Sequence, residues 1–171
     1  MDYREHVFLK LAYVYMTDAD YERYETAIAA CGWQSTYLFS QFLSSFAGKN
    51  IDYYRAALKT AAAAMDIHPK ELYNLCRSAE EVEFPQYVKE TPEYGESPLN
   101  SVVAIETGME QRRRIGRFKA SGRNAVVLRL AAIVERQSTP LTLSRIVNWH
   151  FANYWNRSYG PQITNDFNAE L

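Results

Sequence analysis

Residues 7–16, VFLKLAYVYM, form a nearly unbroken apolar run rich in aromatic and β-branched side chains. That pattern predicts a strand; a helix is the alternative, because Val7, Leu11 and Val14 also share a helical face. Thr17 and Asp18 then read as an N-cap. Tyr21, Tyr24 and Ile28 recur on one side of a helix over 19–31, and Gly32 ends it. Ser35 or Thr36 caps a second helix, which carries Leu38, Phe39, Phe42, Leu43 and Phe46 and ends near Gly48. Asn50 or Asp52 caps a third helix through the alanine run 61–64. Asp66-Ile67-His68 breaks it, and Pro69 sits in the first turn of a fourth that runs to about Ser78.

Residues 79–100 change character, with three prolines, one glycine and six glutamates, as in a linker or an extended acidic wrap. Residues 101–106 and 113–119 carry strand-like patches. Residues 123–137 have apolar positions at helical spacing, and Pro140 ends that segment. Thr142 or Ser144 opens a last helix through Ile146, Val147, Phe151 and Trp155. The pattern predicts a mainly α protein with a small β component. It comprises a helical, bundle-like N-terminal region 1–78 with an N-terminal strand, an acidic linker 79–100, a basic strand-plus-helices region 101–158 and a polar tail 159–171. The order strand, helix, turn, helix occurs in both halves, but the residues match too poorly to define a repeat.

Composition narrows the class. The chain has 171 residues, 47% of them apolar and 23% charged, enough to bury a core. Seven glycines and six prolines are too few for a sandwich or barrel with many tight turns. No apolar stretch approaches a membrane span, and the N-terminus lacks the basic and apolar regions of a signal peptide. Two cysteines, Cys31 and Cys76, make no disulfide framework, so a reducing cytoplasm is the expected location. The net charge of −1 hides an asymmetry: residues 1–110 carry 17 acids and 9 bases, whereas residues 111–157 carry one acid, Glu135, and ten bases. Nine of those ten bases are arginines, a choice that suits bidentate contacts to phosphate or guanine.

Catalytic chemistry has little to stand on. His6, His68, His150, Cys31 and Cys76 are scattered singly, so no metal site is expected. The chain holds no GxGxxG, GxxxxGK[ST] or GxSxG motif, and neither a cofactor nor catalytic residues are expected. A non-enzymatic protein follows.

Three segments point instead to nucleic acid. Residues 10–43 run strand, Thr17-Asp18, amphipathic helix, Gly32-Trp33, Gln34-Ser35-Thr36, amphipathic helix. This order resembles the ribbon-helix-helix family of DNA-binding proteins. The resemblance implies that two chains pair their strands into an antiparallel ribbon for the major groove, and that the start of the second helix, at Gln34, Ser35 and Thr36, holds a phosphate. A helix N-terminus with hydroxyls favours an anion on physical grounds as well. With Ala12, Val14 and Met16 toward the core, the other strand face carries Leu9, Leu11, Tyr13 and Tyr15. A strand apolar on both faces also suits burial in an interface, so it is expected to be paired in a homodimer or covered.

Residues 58–77 resemble a helix-turn-helix, with Ala62 at the helix crossing and Met65, Ile67, Leu72 and Leu75 at the apolar positions. That resemblance would expose Pro69, Lys70, Tyr73, Asn74 and Arg77 to a groove. Asp66 stands where glycine is usual at the turn. Third is the basic run Arg112, Arg113, Arg114, Arg117, Lys119 and Arg123, followed by Arg129, Arg136, Arg145 and Arg157. A strand over 113–119 would send Arg113, Ile115, Arg117 and Lys119 to one face. The other reading of this run is a docking surface for the acidic 79–110 segment, or a solvated face. Trp149, His150, Phe151, Tyr154 and Trp155 on the last helix suit core or interface packing better than base stacking.

The expected function is nucleic-acid binding, with DNA the expected partner, as a dimeric transcriptional regulator or plasmid-type accessory factor. Arg112, Arg113, Arg114, Arg117, Lys119 and Arg123 are the main contacts, and Ser35, Thr36, Lys70 and Arg77 are further candidates. The alternative is a protein–protein adaptor whose arginine-rich face docks on an acidic partner.

Overall fold

The computed structural model describes residues 8–11, 15–32, 35–77, 84–90, 92–101 and 118–155. Its elements are β1 (Phe8–Leu11), α1 (Asp18–Cys31), α2 (Ser35–Lys49), α3 (Ile51–Ala64), α4 (Pro69–Cys76), α5 (Gln86–Glu90), a 3₁₀ turn (Pro98–Ser101), β2 (Phe118–Ser121), α6 (Gly122–Glu135) and α7 (Thr139–Tyr154). The protein is mainly α with a small β component. Among the described residues no helix is long and apolar enough to cross a membrane. The 101–106 patch beyond residue 101, the arginines of 112–117 and the tail 159–171 lie outside the described residues.

Local chemistry sets most boundaries. Thr17 Oγ1 accepts the Asp20 N–H at 3.1 Å, and Asp18 and Asp20 face the positive end of α1. Gly32 closes α1 at φ 68°, a left-handed conformation that favours glycine. His68 caps α4, its Nδ1 accepting the Lys70 N–H at 3.1 Å, and Pro69 follows in the first turn. Asp66 takes the left-handed turn position at φ 54°.

Several expected boundaries shift. Ser35 and Thr36 are the first residues of α2 rather than its caps. α2 ends at Lys49, beside Gly48 as expected. Asn50 precedes α3 but makes no side-chain cap; its amide donates back to the Phe46 carbonyl at 3.0 Å. Pro140 does not end α6. It sits in the first turn of α7, which Ser138 caps, because that turn needs no N–H from residue 140. Thr142 and Ser144 therefore lie buried within α7, where their hydroxyls donate to the carbonyls of Ser138 and Pro140 at 2.8 and 3.0 Å.

β1 pairs with β2 of the same chain, antiparallel, with Phe8 opposite Ser121, Leu9 opposite Ala120, Lys10 opposite Lys119 and Leu11 opposite Phe118. Phe118 and Ala120 are buried and Lys119 is exposed. Leu9 and Leu11 thus stand opposite the buried Ala120 and Phe118 in register, and Lys10 stands opposite Lys119.

The echo between the halves is a structural repeat. α1 and α6 are both 14 residues, α2 and α7 are 15 and 16, and three residues separate the helices in each hairpin. Asp18 thus matches Gly122 and Ser35 matches Thr139, at one constant offset of 104. Gly32 and Arg136, also matched, both hold positive φ, 68° and 55°. Buried positions coincide: Tyr24 with Leu128, Ala27 with Ala131, Phe39 with Leu143, Phe42 with Ile146, Leu43 with Val147. One interhelical hydrogen bond is made twice. The Asn148 amide donates to Asp20 Oδ2 at 2.8 Å, and at the matched positions Asn124 and Ser44 the bond runs the other way, the Asn124 amide donating to Ser44 Oγ at 2.9 Å. Some contacts exchange as a two-fold requires, α1 on α7 with α2 on α6 and α2 on α7, whereas α6 packs on α7 more closely than α1 on α2 among the described residues. The residue identities hide this, because the repeat is conserved in burial and hydrogen bonding rather than in side-chain type.

Both hairpins and the intervening α3–α5 segment share a single apolar core, with Phe39 5.7 Å from Phe118 and Phe42 5.0 Å from Phe151 between ring centroids. The acidic 79–100 stretch, where described, is held against that core. Val88 and Leu99 are fully buried, and the Leu99 carbonyl accepts from Arg145 Nη2 at 2.7 Å.

Candidate nucleic-acid interface

The two-strand ribbon is the centre of the candidate surface. Phe118 and Ala120 anchor β2 to the core and leave Lys119 exposed between them. The register sets Lys10 directly across from it. The register thus brings two lysine positions together at the middle of the ribbon. Arg112, Arg113, Arg114 and Arg117 precede β2 and lie outside the described residues.

Arg123 is exposed in the first turn of α6. Its guanidinium reaches the end of α2: a Cβ placed on Gly48 would lie 3.6 Å from Nη2. A cation there meets the negative end of the α2 dipole. The starts of the second helix of each hairpin are matched, Ser35–Thr36 with Thr139–Pro140. In α7 the cap is complete, with Ser138 Oγ accepting the Leu141 N–H at 3.4 Å.

Lys70 and Arg77 occupy the two ends of α4, which packs on α3 and α6. Lys70 and Asn74 are exposed and Arg77 is half-buried. Leu75, expected at a packed position, is 39% exposed. It lines a shallow depression with His68, Lys70, Glu71 and Asn74. α4 is eight residues long, so Leu75 falls in its last turn, beyond the face that Leu72 and Cys76 bury.

Part of the basic half turns out to be internal. Arg129 is 7% exposed, and its Nη1 donates to the carbonyls of Leu75 and Cys76 at 3.1 and 2.9 Å. A guanidinium thereby satisfies the last turn of α4 and opposes its dipole. Arg145, equally buried, pairs with Glu135, which also takes the Ser97 hydroxyl. Arg136 Nε donates to the Lys89 carbonyl at 3.4 Å. These three arginines tie the described part of the 70–101 region to α6 and α7 by donating to its backbone carbonyls. The sequence signal was present in the isolated glutamate of the basic half, Glu135, which is the counter-ion of Arg145.

The aromatic cluster on α7 packs inward. Trp149 lies edge-on to Phe46 at 5.1 Å, and His150 lies 4.7 Å from Phe42. Burial lowers the His150 pKa to about 4, so the ring is neutral near pH 7. Burial raises the Cys76 thiol to about 12, which leaves it unreactive. Among the described residues no group of His, Cys, Asp and Glu could hold a metal ion. No protein-family model, curated protein or solved structure matches this chain.

Proposed function

We propose that this protein binds double-stranded DNA through the β1–β2 ribbon. The observation that carries the reading is the intrachain ribbon itself, which has Lys119 exposed between buried Phe118 and Ala120, Lys10 opposite in register, and matched helical hairpins beneath it. A B-form major groove admits a two-stranded ribbon, and this is the disposition that the ribbon-helix-helix resemblance implies. In this reading Lys10 and Lys119 enter the groove. Arg112, Arg113, Arg114 and Arg117 meet the phosphates on approach to the ribbon, and Arg123 lies at its rim. The backbone N–H groups at Ser35 and Thr36 take a flanking phosphate. Lys70 and Arg77 on α4 are outlying cations that lengthen the contact. A regulatory or plasmid-accessory role follows from duplex binding.

Gel shift on mixed-sequence duplex at two salt concentrations tests the proposal. Affinity should fall steeply with salt. Arg112→Ala, Arg113→Ala and Arg114→Ala should each weaken binding about equally on all sequences and reduce the salt slope by about one. Lys119→Ala should weaken binding without lowering thermal stability. Wild-type protein that retains no duplex at low salt refutes the proposal and favours an adaptor whose arginines dock on an acidic protein.

A further inference from the structure

The ribbon is complete within one chain, and its two halves are chemically unlike. We infer that one copy of this protein reads one duplex site, and that the site has no two-fold sequence symmetry. The inference rests on the DNA reading above and concerns which duplex is bound and by how many chains.

Two strands, two hairpins and a hydrogen bond between the same two pairs of matched positions, its direction reversed, account for both members of a two-fold assembly in a single polypeptide. β1 is occupied by β2, so no second chain is needed to pair it. With the two-fold placed through the opposed Lys10–Lys119 pair, these lysines become equivalent. Equivalence ends there. Residue 8 is phenylalanine, and its counterpart by count along the strand, residue 117, is arginine. In the hairpins, residues 18–49 carry four acids and two bases, while the matching residues 122–153 carry one acid and four bases. The first-turn acids Asp18 and Asp20 stand where the second hairpin has Gly122 and Asn124. At the start of the second helix, Thr36 has an N–H that its counterpart Pro140 lacks. The hairpin spacers differ too: six residues separate β1 from α1, and none separates β2 from α6. An inverted-repeat duplex presents identical phosphates and base edges to both halves, and these halves cannot answer it identically. Specificity by unlike halves favours a duplex whose two sides also differ.

Two measurements on the full chain test this. In the first, Lys10→Cys and Lys119→Cys are combined in a Cys31→Ser, Cys76→Ala background and oxidised. Opposed strand residues hold Cβ atoms about 4.5–5.5 Å apart, within reach of a disulfide. The expected product is an intrachain disulfide that migrates at monomer mass. A covalent dimer means that strands pair between chains and overturns the inference. The second measurement uses wild-type protein, random-sequence duplexes and selection at low salt, with native mass spectrometry of the retained complex. The expected result is one chain per duplex and an enriched motif without an inverted repeat. An inverted-repeat motif, two chains per duplex, or one chain bound without enrichment each overturns it. Retention of no duplex at all, beside an intrachain disulfide, overturns it by removing the DNA reading and leaves the single-chain ribbon as architecture alone.

Discussion

Arg145→Met separates an arginine that builds the fold from one that serves the surface. Arg145 belongs to the basic half by sequence, yet it is 7% exposed and bonds Glu135 and the Leu99 carbonyl. Methionine keeps the aliphatic stem and removes the charge. Glu135, with a side chain 8% exposed, would keep only the Ser97 hydroxyl. Leaving one member of a buried pair uncompensated costs about 3–5 kcal/mol, and the orphaned Leu99 carbonyl adds about 1 kcal/mol. A domain of this size has about 5–15 kcal/mol in all, so a Tm fall on the order of 10 °C or more follows. The companion double variant Glu135→Gln with Arg145→Met removes both charges and should recover most of that loss. Circular-dichroism melts and urea titrations of the three proteins read the cycle. Limited proteolysis should show the 84–101 region loosened in the single variant only. A single variant within about 0.5 kcal/mol of wild type would refute the buried pair and return Arg145 to the solvated basic face.

Two further outcomes are expected. His150 has a folded pKa of about 4, below its ordinary 6.5, so below pH 6.5 the unfolded chain takes a proton that the native ring refuses. Stability should fall as pH drops from about 6.5 toward 4, by up to about 3 kcal/mol, and His150→Phe should flatten that part of the urea-midpoint profile; an unchanged profile contradicts the buried neutral ring. The repeated hydrogen bond gives an unequal pair: Asn148→Ala takes the Oδ2 partner from Asp20, a fully buried carboxylate that keeps Arg23 on Oδ1, and should cost about 2 kcal/mol. Ser44→Ala removes only a neutral partner of Asn124 and should cost about 1 kcal/mol, so equal losses in chemical denaturation would count against the matched geometry.

Local signals in the sequence determined the helices. Thr17, Gly32, Asp66, His68 and Pro69 act within a few residues of themselves, through caps, a left-handed turn and a fixed φ, so their effects are legible without the fold. The apolar spacing of Leu38, Phe39, Phe42, Leu43 and Phe46 marked the buried face of α2 for the same reason. Pro140 misled because a proline is equally at home just after one helix and in the first turn of the next; Ser138 decides between them, and only the capping geometry shows it.

Tertiary structure decided the rest. What β1 pairs with is decided by a strand more than a hundred residues away. The repeat is carried by burial and by Asn148–Asp20 and Asn124–Ser44, contacts between distant helices whose residue types differ. Charge along the chain could not separate Lys119 and Arg123, which are exposed, from Arg129 and Arg145, which are buried among carbonyls and a carboxylate. An arginine's sequence records its charge; whether that charge meets solvent or a helix end is set by what packs against it.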